Sequence, residues 1–442
     1  MKIVIVGAGA VGSYLAERLS AEGQDVTVIE SDPVVAARVD TAVDCQVITG
    51  NGASAKTLKE ARLSEADLLI AVSSSDAVNV LACNAATKLG IDRKVARVED
   101  PELKAEVEAL GVDFVIDPGK AAARELLVLV SRGGISELVD FAEGKLVLIG
   151  AYIDPSNALL GITLADLRAT VTGWDWLVVA IIRRGETMIA RGTTRLEAHD
   201  HVLLMARADR TEEAYRFLGL TDTAAENVVI LGGTRLARVT AELLVERRIT
   251  TTLIDADPDR CREIAMAIPE VLTVCGDPTD PRVLRSEGAG KADSVLALTD
   301  WDGDNLLGCL VARALGAGEV IARFNTPELV RVLSGIGPDA TVSSRLSAAS
   351  EILRFVRRGA IYSVATFSDS DAEAIELEVT AKSPGIGKTL ADLKLPRSLI
   401  IGGIQRGGEA FIPHGDTTIQ EGDHLIVVAL PESFLAAEKL SG

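Results

Sequence analysis

Near the N-terminus, Gly7-Ala8-Gly9-Ala10-Val11-Gly12 has the spacing of a turn that receives a pyrophosphate. Each glycine has its own reason: Gly7 permits the tight reversal, Gly9 lets the backbone approach the phosphates, and Gly12 lets helix and sheet pack closely. The phosphates would lie on the helix N-terminus, where unpaired N–H groups and the helix dipole favour an anion. Glu30 follows about 20 residues later, at the end of the next apolar run, where a carboxylate accepts from ribose hydroxyls. That carboxylate repels a 2′-phosphate, which disfavours NADP; NAD(H), ADP and ATP share the same adenosine ribose and are not separated. Ser73 and Ser74 follow the fourth apolar run and Arg97 the fifth, at the strand ends where open α/β sheets bind ligands. The hydroxyls suit either a ligand contact or ordinary loop polarity, and the guanidinium suits either a phosphate or a surface ion pair.

The elements that must position these residues are legible in the grain of the chain. Apolar, β-branched runs at Ile3–Val6, Val26–Ile29, Gln46–Ile48, Leu68–Val72, Val95–Val98 and Phe114–Ile116 alternate with helical stretches that include Val11–Ala21, Ala53–Glu60 and Ala77–Leu89. Continuous apolar strands separated by helices predict a doubly wound parallel sheet covered on both faces, a Rossmann-like domain. Beyond it, strand candidates Leu146–Tyr152, Leu177–Ile182, Thr187–Ala190 and Val202–Met205, with turns at Arg184-Gly185 and Arg191-Gly192-Thr193, predict a small, mostly β domain.

The whole pattern occurs twice. Val228-Val229-Ile230-Leu231-Gly232 repeats residues 3–7 and Leu253-Ile254-Asp255 repeats Val28-Ile29-Glu30 at a shift of 225. At a shift of 226, Gly276 answers Gly50, Asn305 answers Asn79, Arg323 answers Arg97, and Gly387–Leu393 answers Gly161–Leu167. Four domains are expected: Rossmann-like at 1–132 and 226–358, and small C-terminal domains at 137–220 and 361–442. The second glycine turn departs from the first, reading Gly232-Gly233-Thr234-Arg235-Leu236-Ala237. Gly232 and Asp255 keep the turn and the ribose carboxylate, but the Thr234 Cβ is expected to crowd a pyrophosphate. Arg235 either claims a phosphate or fills the site itself, so nucleotide binding by this half is left open.

Composition narrows the function classes. The net charge of −19, from 64 acidic and 45 basic residues, opposes binding to nucleic acid or directly to anionic lipid. No apolar run approaches the ~18 residues that span a bilayer, and Met1–Val6 reads as a strand rather than a signal peptide. Five scattered cysteines without CxxC spacing read as thiols of a cytoplasmic protein. His199-x-His201 lacks further metal ligands nearby, and only His201 recurs, as His424; the Asp200-His201 and Asp423-His424 pairs read as turns entering strands. Trp174 and Trp176 suit local packing or a contact. The small domains show no His, Lys or Tyr cluster that would give an oxidoreductase its proton donor, so catalytic residues are not expected.

Together, Gly7–Gly12 with Glu30, Phe141-Ala-Glu-Gly-Lys145, Gly387-Lys-Thr-Leu390 and Glu421-Gly-Asp-His-Leu425 resemble the cytosolic regulatory subunit of Trk-type potassium uptake systems, the TrkA family. The resemblance covers essentially the whole chain and implies two tandem RCK units. It implies a peripheral subunit on the inner face of the cell membrane, assembled as a homo-oligomeric ring beneath a TrkH/TrkG-like potassium transporter and gated by NAD(H), ADP or ATP. Gly7–Val11, Glu30, Ser73, Ser74 and Arg97 match the family's first nucleotide site; Gly232 and Asp255 match the second, where Thr234 and Ala237 depart. A NAD-dependent oxidoreductase and a small-molecule regulator without a channel partner are the competing readings.

Overall fold

The structure, a computed structural model, describes residues 1–131, 134–157, 159–170, 175–220, 225–326, 337–356, 361–367, 370 and 372–442. They fall into two compact units: Met1–Ala122 with Ser344–Val356, and Ala123–Ser343 with Arg357–Gly442. Trp174 lies outside the described residues.

The first unit is built from β1 (Lys2–Val6), α1 (Ala10–Ala21), β2 (Asp25–Glu30), α2 (Pro33–Ala42), β3 (Gln46–Thr49), α3 (Ala55–Glu60), β4 (Leu68–Ala71), α4 (Asp76–Lys88), β5 (Arg93–Arg97), α5 (Pro101–Ala109) and β6 (Phe114–Ile116). The strands form a sheet in the order β3-β2-β1-β4-β5-β6. Its pairings are parallel throughout, with Ile3 opposite both Val26 and Leu68. Alternation along β1 sends Ile3 and Ile5 to one face with Leu15 and Leu19 of α1, and Val4 and Val6 to the other with Ala82 and Ala86 of α4. Each fully buried aliphatic side chain contributes about 1.5–3 kcal/mol, so a sheet apolar on both faces is stable only when helices cover both. Asp32 and Asp100 start α2 and α5 by accepting from backbone N–H groups of the first turn, each followed by a proline at the first helical position.

One covering helix comes from far along the chain. Ala348, Ala349, Ile352 and Leu353 of the helix Ser344–Val356 join the α1 face, and Phe355 stacks on Phe114 at 5.5 Å. Arg93 closes the end of that helix, donating from Nη2 to the Phe355 and Val356 carbonyls at 3.0 and 2.9 Å. The boundary between the units falls inside α6 (Pro118–Val130), the helix that follows β6.

The second unit repeats this architecture between two β domains. β7 (Glu137–Phe141), β8 (Leu146–Tyr152), α7 (Leu164–Thr170), β9 (Trp176–Arg183), β10 (Glu186–Ile189), β11 (His201–Arg207) and α8 (Thr211–Leu218) come first. Their antiparallel sheet runs β10-β9-β11-β8-β7. Then follow β12 (Asn227–Leu231), α9 (Arg235–Glu246), β13 (Thr250–Asp255), α10 (Pro258–Ala267), β14 (Leu272–Cys275), α11 (Pro281–Ser286), β15 (Ser294–Ala297), α12 (Asp302–Leu315), β16 (Glu319–Arg323) and β17 (Ala340–Val342). These strands form a parallel sheet in the order β14-β13-β12-β15-β16-β17, the counterpart of the first. Last come β18 (Ile361–Thr366), β19 (Glu373–Glu378), β20 (Leu399–Arg406), β21 (Glu409–Phe411) and β22 (His424–Ala429), in the antiparallel order β18-β19-β22-β20-β21. The expected fold class, two doubly wound parallel sheets each followed by a mostly β domain, is the observed one.

The two antiparallel sheets share a core, with Phe141, Leu148 and Met205 of one against Ala374, Ile426 and Val428 of the other. Gly402 and Gly403 of β20 allow the close approach, since a Cβ there would meet Val179 at 2.9 Å and Leu146 at 2.5 Å. Each copy pins its last long strand with a buried carboxylate. Asp200 receives a bidentate pair from Arg183 at 2.7 and 2.8 Å, and Asp423 the same from Arg406. His201 is buried, stacked on Tyr152 and 2.6 Å from Ser136 Oγ, while His424 Nδ1 lies 3.1 Å from Glu376 Oε1. Trp176 is buried and packs on Phe217 at 4.3 Å, which makes it a core residue.

Candidate functional site

The first cleft opens where β1 and β4 part, the point at which the strand order reverses. Gly7 has φ +97°, and a Cβ there would lie 2.6 Å from Ser73 Cα, so the turn and the Ser73 loop touch backbone to backbone. A Cβ on Gly12 would lie 1.9 Å from the Gly7 carbonyl oxygen, which only glycine avoids at the start of α1. Gly9 differs from both: a Cβ there would meet nothing within 4 Å. The helix begins at Gly9 with no side chain capping its free N–H groups, which leaves an open concavity of backbone donors.

Glu30 stands over this turn. Its Oε2 accepts from Ala8 N–H at 2.6 Å, and its Oε1 from Asp32 N–H at 2.9 Å and Ser31 Oγ at 3.1 Å. Partial burial alone would raise the carboxyl, but these donors outweigh it and hold Glu30 below the ordinary carboxylate range, so it is an anion at neutral pH. Ser73 is turned inward: its N–H and Oγ donate to Asn79 Oδ1 at 2.9 and 2.8 Å, while Ser74 is exposed. Arg97 pairs with Glu99, Nε donating to Oε1 at 3.0 Å, so its guanidinium already has a carboxylate partner.

The residue that sequence reasoning passed over is Asn79. Fully buried on α4, it binds the Ser73 N–H and hydroxyl through Oδ1, and through Nδ2 donates to the carbonyls of Ser73 at 3.0 Å and Arg97 at 2.9 Å. One side chain thus ties together the ends of β4 and β5. Asn305 does the same for Thr299 and Arg323, with Nδ2 donating to their carbonyls at 3.1 and 2.9 Å. The recurrence of Asn79 as Asn305 was the available signal.

In the second cleft the same scaffold has different contents. Gly232 keeps the left-handed turn at φ +100°. Thr234 caps α9, its Oγ1 accepting from Ala237 N–H at 3.3 Å and donating to the Leu298 carbonyl at 2.8 Å. Asp255 is nearly fully buried; its Oδ2 accepts from Gly233 N–H at 2.5 Å and from Arg260 Nη1 at 3.2 Å, and its Oδ1 from Asp257 N–H at 2.8 Å. Arg260 stands where the first half has Val35, and Gly233 where it has Ala8. A Cβ on Gly233 would lie 2.9 Å from Arg260 Cδ, so the glycine makes room for the arginine. The arginine that reaches this carboxylate is Arg260, on the first turn of α10, which the sequence reading did not single out.

A parallel sheet carrying a glycine turn, joined to an antiparallel sheet and repeated, is the architecture of the RCK domain. The GsuK RCK domain superposes with a TM-score of 0.61 at 19% identity, over 100% of this chain and 95% of that one. The GsuK channel bound to NAD gives the same score and identity over 100% of this chain and 79% of that one. The TrkA-N domain family matches residues 3–118 and 228–344, and the TrkA-C domain family matches 148–219 and 374–442. A Trk system potassium uptake protein TrkA homolog of Archaeoglobus fulgidus is 34% identical over 433 residues, 97% of each chain. TrkA homolog 1 of Methanosarcina mazei is 33% identical over 453 residues, 99% of each. The TrkA of Vibrio alginolyticus is 30% identical, over 99% of this chain and 97% of its own. The chain belongs to the TrkA family of Trk system potassium uptake proteins.

Proposed function

We propose that this protein is a non-catalytic, nucleotide-sensing subunit that gates a Trk-type membrane potassium transporter from its cytoplasmic face. The observation that carries the reading is the open first cleft: uncapped helix donors, clear space at Gly9 and an ionised Glu30 meet at the strand-order reversal of a TrkA-family chain. The fit to an adenine nucleotide is good. Backbone N–H groups at Gly9–Val11 would hold the phosphates and Glu30 the ribose hydroxyls, while Gly7 and Gly12 set the shape of the turn. Ser74, exposed on the loop after β4, would touch the ligand; Ser73 would shape that loop, and Arg97 would exchange Glu99 for a phosphate on binding. NAD(H), ADP and ATP meet these requirements equally.

Gating follows from differential affinity. A ligand shifts an equilibrium only by binding one state more tightly than another. A cleft formed by two loops at the centre of the sheet, tied to neighbouring strands through Asn79, is suited to passing that difference to the rest of the first unit. Glu30, Ser73, Ser74 and Arg97 bind and orient, and none is a proton donor placed for hydride chemistry. The net charge of −19 favours attachment to a basic cytoplasmic rim of the transporter over attachment to lipid, with the subunits arranged as a ring. We place the domain boundaries at 1–132, 137–220, 226–358 and 361–442.

The test is reconstitution. The protein should co-purify with a Trk-type transporter, and nucleotide should change potassium flux into liposomes carrying the pair, with no NADH consumed. Flux that ignores both the protein and the nucleotide, or steady NADH turnover on a carbonyl compound, contradicts the proposal.

A further inference from the structure

Two cysteines of the second half have no counterpart in the first. Cys261 stands on α10 where the first half has Ala36, and Cys275 ends β14 where it has Thr49. The sheet register sets Cys275 beside Asp255. Cys261 Sγ lies 3.3 Å from the Asp255 carbonyl oxygen and 3.7 Å from that of Val274, while Cys275 Sγ lies 3.9 Å from the Ala256 carbonyl oxygen. The two sulfurs therefore converge on the adjacent carbonyls of Asp255 and Ala256. Their environments differ in a useful way: Cys261 is 7% exposed, whereas Cys275 faces solvent. Among the other cysteines, Cys83 and Cys309 are buried, and burial pushes each thiol up to about 12. An accessible thiol backed by a shielded one is the arrangement in which the first attacks and the second resolves.

We propose that Cys261 and Cys275 form a reversible dithiol–disulfide site at the edge of the second cleft, oxidised by low-molecular-weight disulfides. The exchange balances in two steps. The Cys275 thiolate attacks one sulfur of the small disulfide, forms a mixed disulfide and expels one small thiolate, which takes up a proton. Cys261 then loses its proton and attacks the Cys275 sulfur, and the second small thiolate leaves with a proton. Two protein thiols are oxidised and one small disulfide is reduced to two thiols. In the free dithiol Cys261 is pushed up to about 11, first by burial and then by the charge of Cys275. Converting Cys275 to the neutral mixed disulfide removes that second cause at the step where Cys261 must ionise. The bond would tie α10 to β14 and fix Arg260, the residue next to Cys261, over Asp255. None of this depends on nucleotide binding at either cleft.

The full-length reduced protein, treated with oxidised glutathione at mildly alkaline pH and digested after glutamate, tests the proposal. Cleavage after Glu263 and Glu270 puts Cys261 and Cys275 on separate peptides. The expected result is one disulfide-linked pair of these peptides, lost on adding dithiothreitol. Cys261→Ser should stop at a stable glutathione adduct on Cys275, and Cys275→Ser should leave Cys261 unmodified. If the wild-type protein keeps a glutathione adduct on Cys275, or leaves both thiols free, with no linked peptides, the proposal is overturned.

Discussion

The two glycine-turn clefts share a scaffold and differ in what occupies it. Asn79 and Asn305 tie the same strand ends with the same set of bonds, so duplication has preserved the frame. The differences that refill the second cleft include Gly9 against Thr234, Ala8 against Gly233, and Val35 against Arg260. In the first cleft no side chain caps the helix donors, a Cβ on Gly9 would meet nothing within 4 Å, and the carboxylate accepts from Ala8, Ser31 and Asp32. In the second, a threonine hydroxyl caps the helix and an arginine pairs with the buried carboxylate. A ligand entering there would have to displace a part-buried ion pair, and leaving a buried charge without its partner is costly. A nucleotide fold can thus be kept while its binding donors are turned to internal use.

The comparison can be broken most sharply at Gly9. Because a Cβ there meets nothing, Gly9→Asp should leave unfolding unchanged while setting a like charge against the phosphates, at about 3 kcal/mol or roughly a hundredfold in affinity. Calorimetric titration reads it, and unchanged affinity removes the first-cleft assignment. Glu30→Ala should cost about 2 kcal/mol in the same titration through lost charge-assisted hydrogen bonds.

A second contrast concerns stability. Arg93 and Glu319 occupy equivalent positions, but Glu319 is buried, accepting from Gly134 N–H at 3.0 Å and Ser294 Oγ at 3.2 Å. Burial, aided by Asp339, pushes its carboxyl up from 4.5 to about 7 against the pull of these donors. Its raised value means that its contribution is complete below the ordinary carboxyl range and is lost as pH rises through about 7. The second unit should therefore lose roughly 3 kcal/mol or less between pH 4.5 and 8 from this group. Glu319→Gln should flatten that part of the profile in denaturant unfolding; a profile identical to wild type would contradict the assignment.

Opening the second cleft is a smaller change. Thr234→Gly with Arg260→Ala frees the helix donors and Asp255, and a second, weaker nucleotide site should appear in titration. The glycine cap should cost only about 0.3 kcal/mol of stability. A change of opposite sign lies at the turn that enters the last long strand of each β domain, where His199 has φ +65° and its counterpart Gly422 has φ +81°. His199→Gly should stabilise the protein by about 1 kcal/mol, read as a raised Tm.

Much of this was legible in the sequence because strands buried on both faces are written as continuous apolar runs and because the repeat fixes the domain order. Gly7–Gly12 and Glu30 fall at one strand-order reversal, as their spacing required. Three features were not legible. Asn79 is one of two asparagines on α4, and only its three-dimensional neighbours show it as the buried one. Arg260 in a first helical turn reads as a solvent-facing charge until Asp255 is seen beneath it. The apolar face of Ser344–Val356 announces a covering helix without saying which sheet it covers, and it covers the first.

The central claim is that one cleft binds and the other is filled by the protein's own side chains. Calorimetric titration of the pure protein with NAD, NADH, ADP and ATP measures this directly as stoichiometry per chain. One nucleotide per chain is expected for the ligands that bind, weakened about a hundredfold by Gly9→Asp and unaffected by Arg260→Ala alone. Two equivalent sites per chain, or a single site whose affinity Gly9→Asp leaves unchanged, would contradict it.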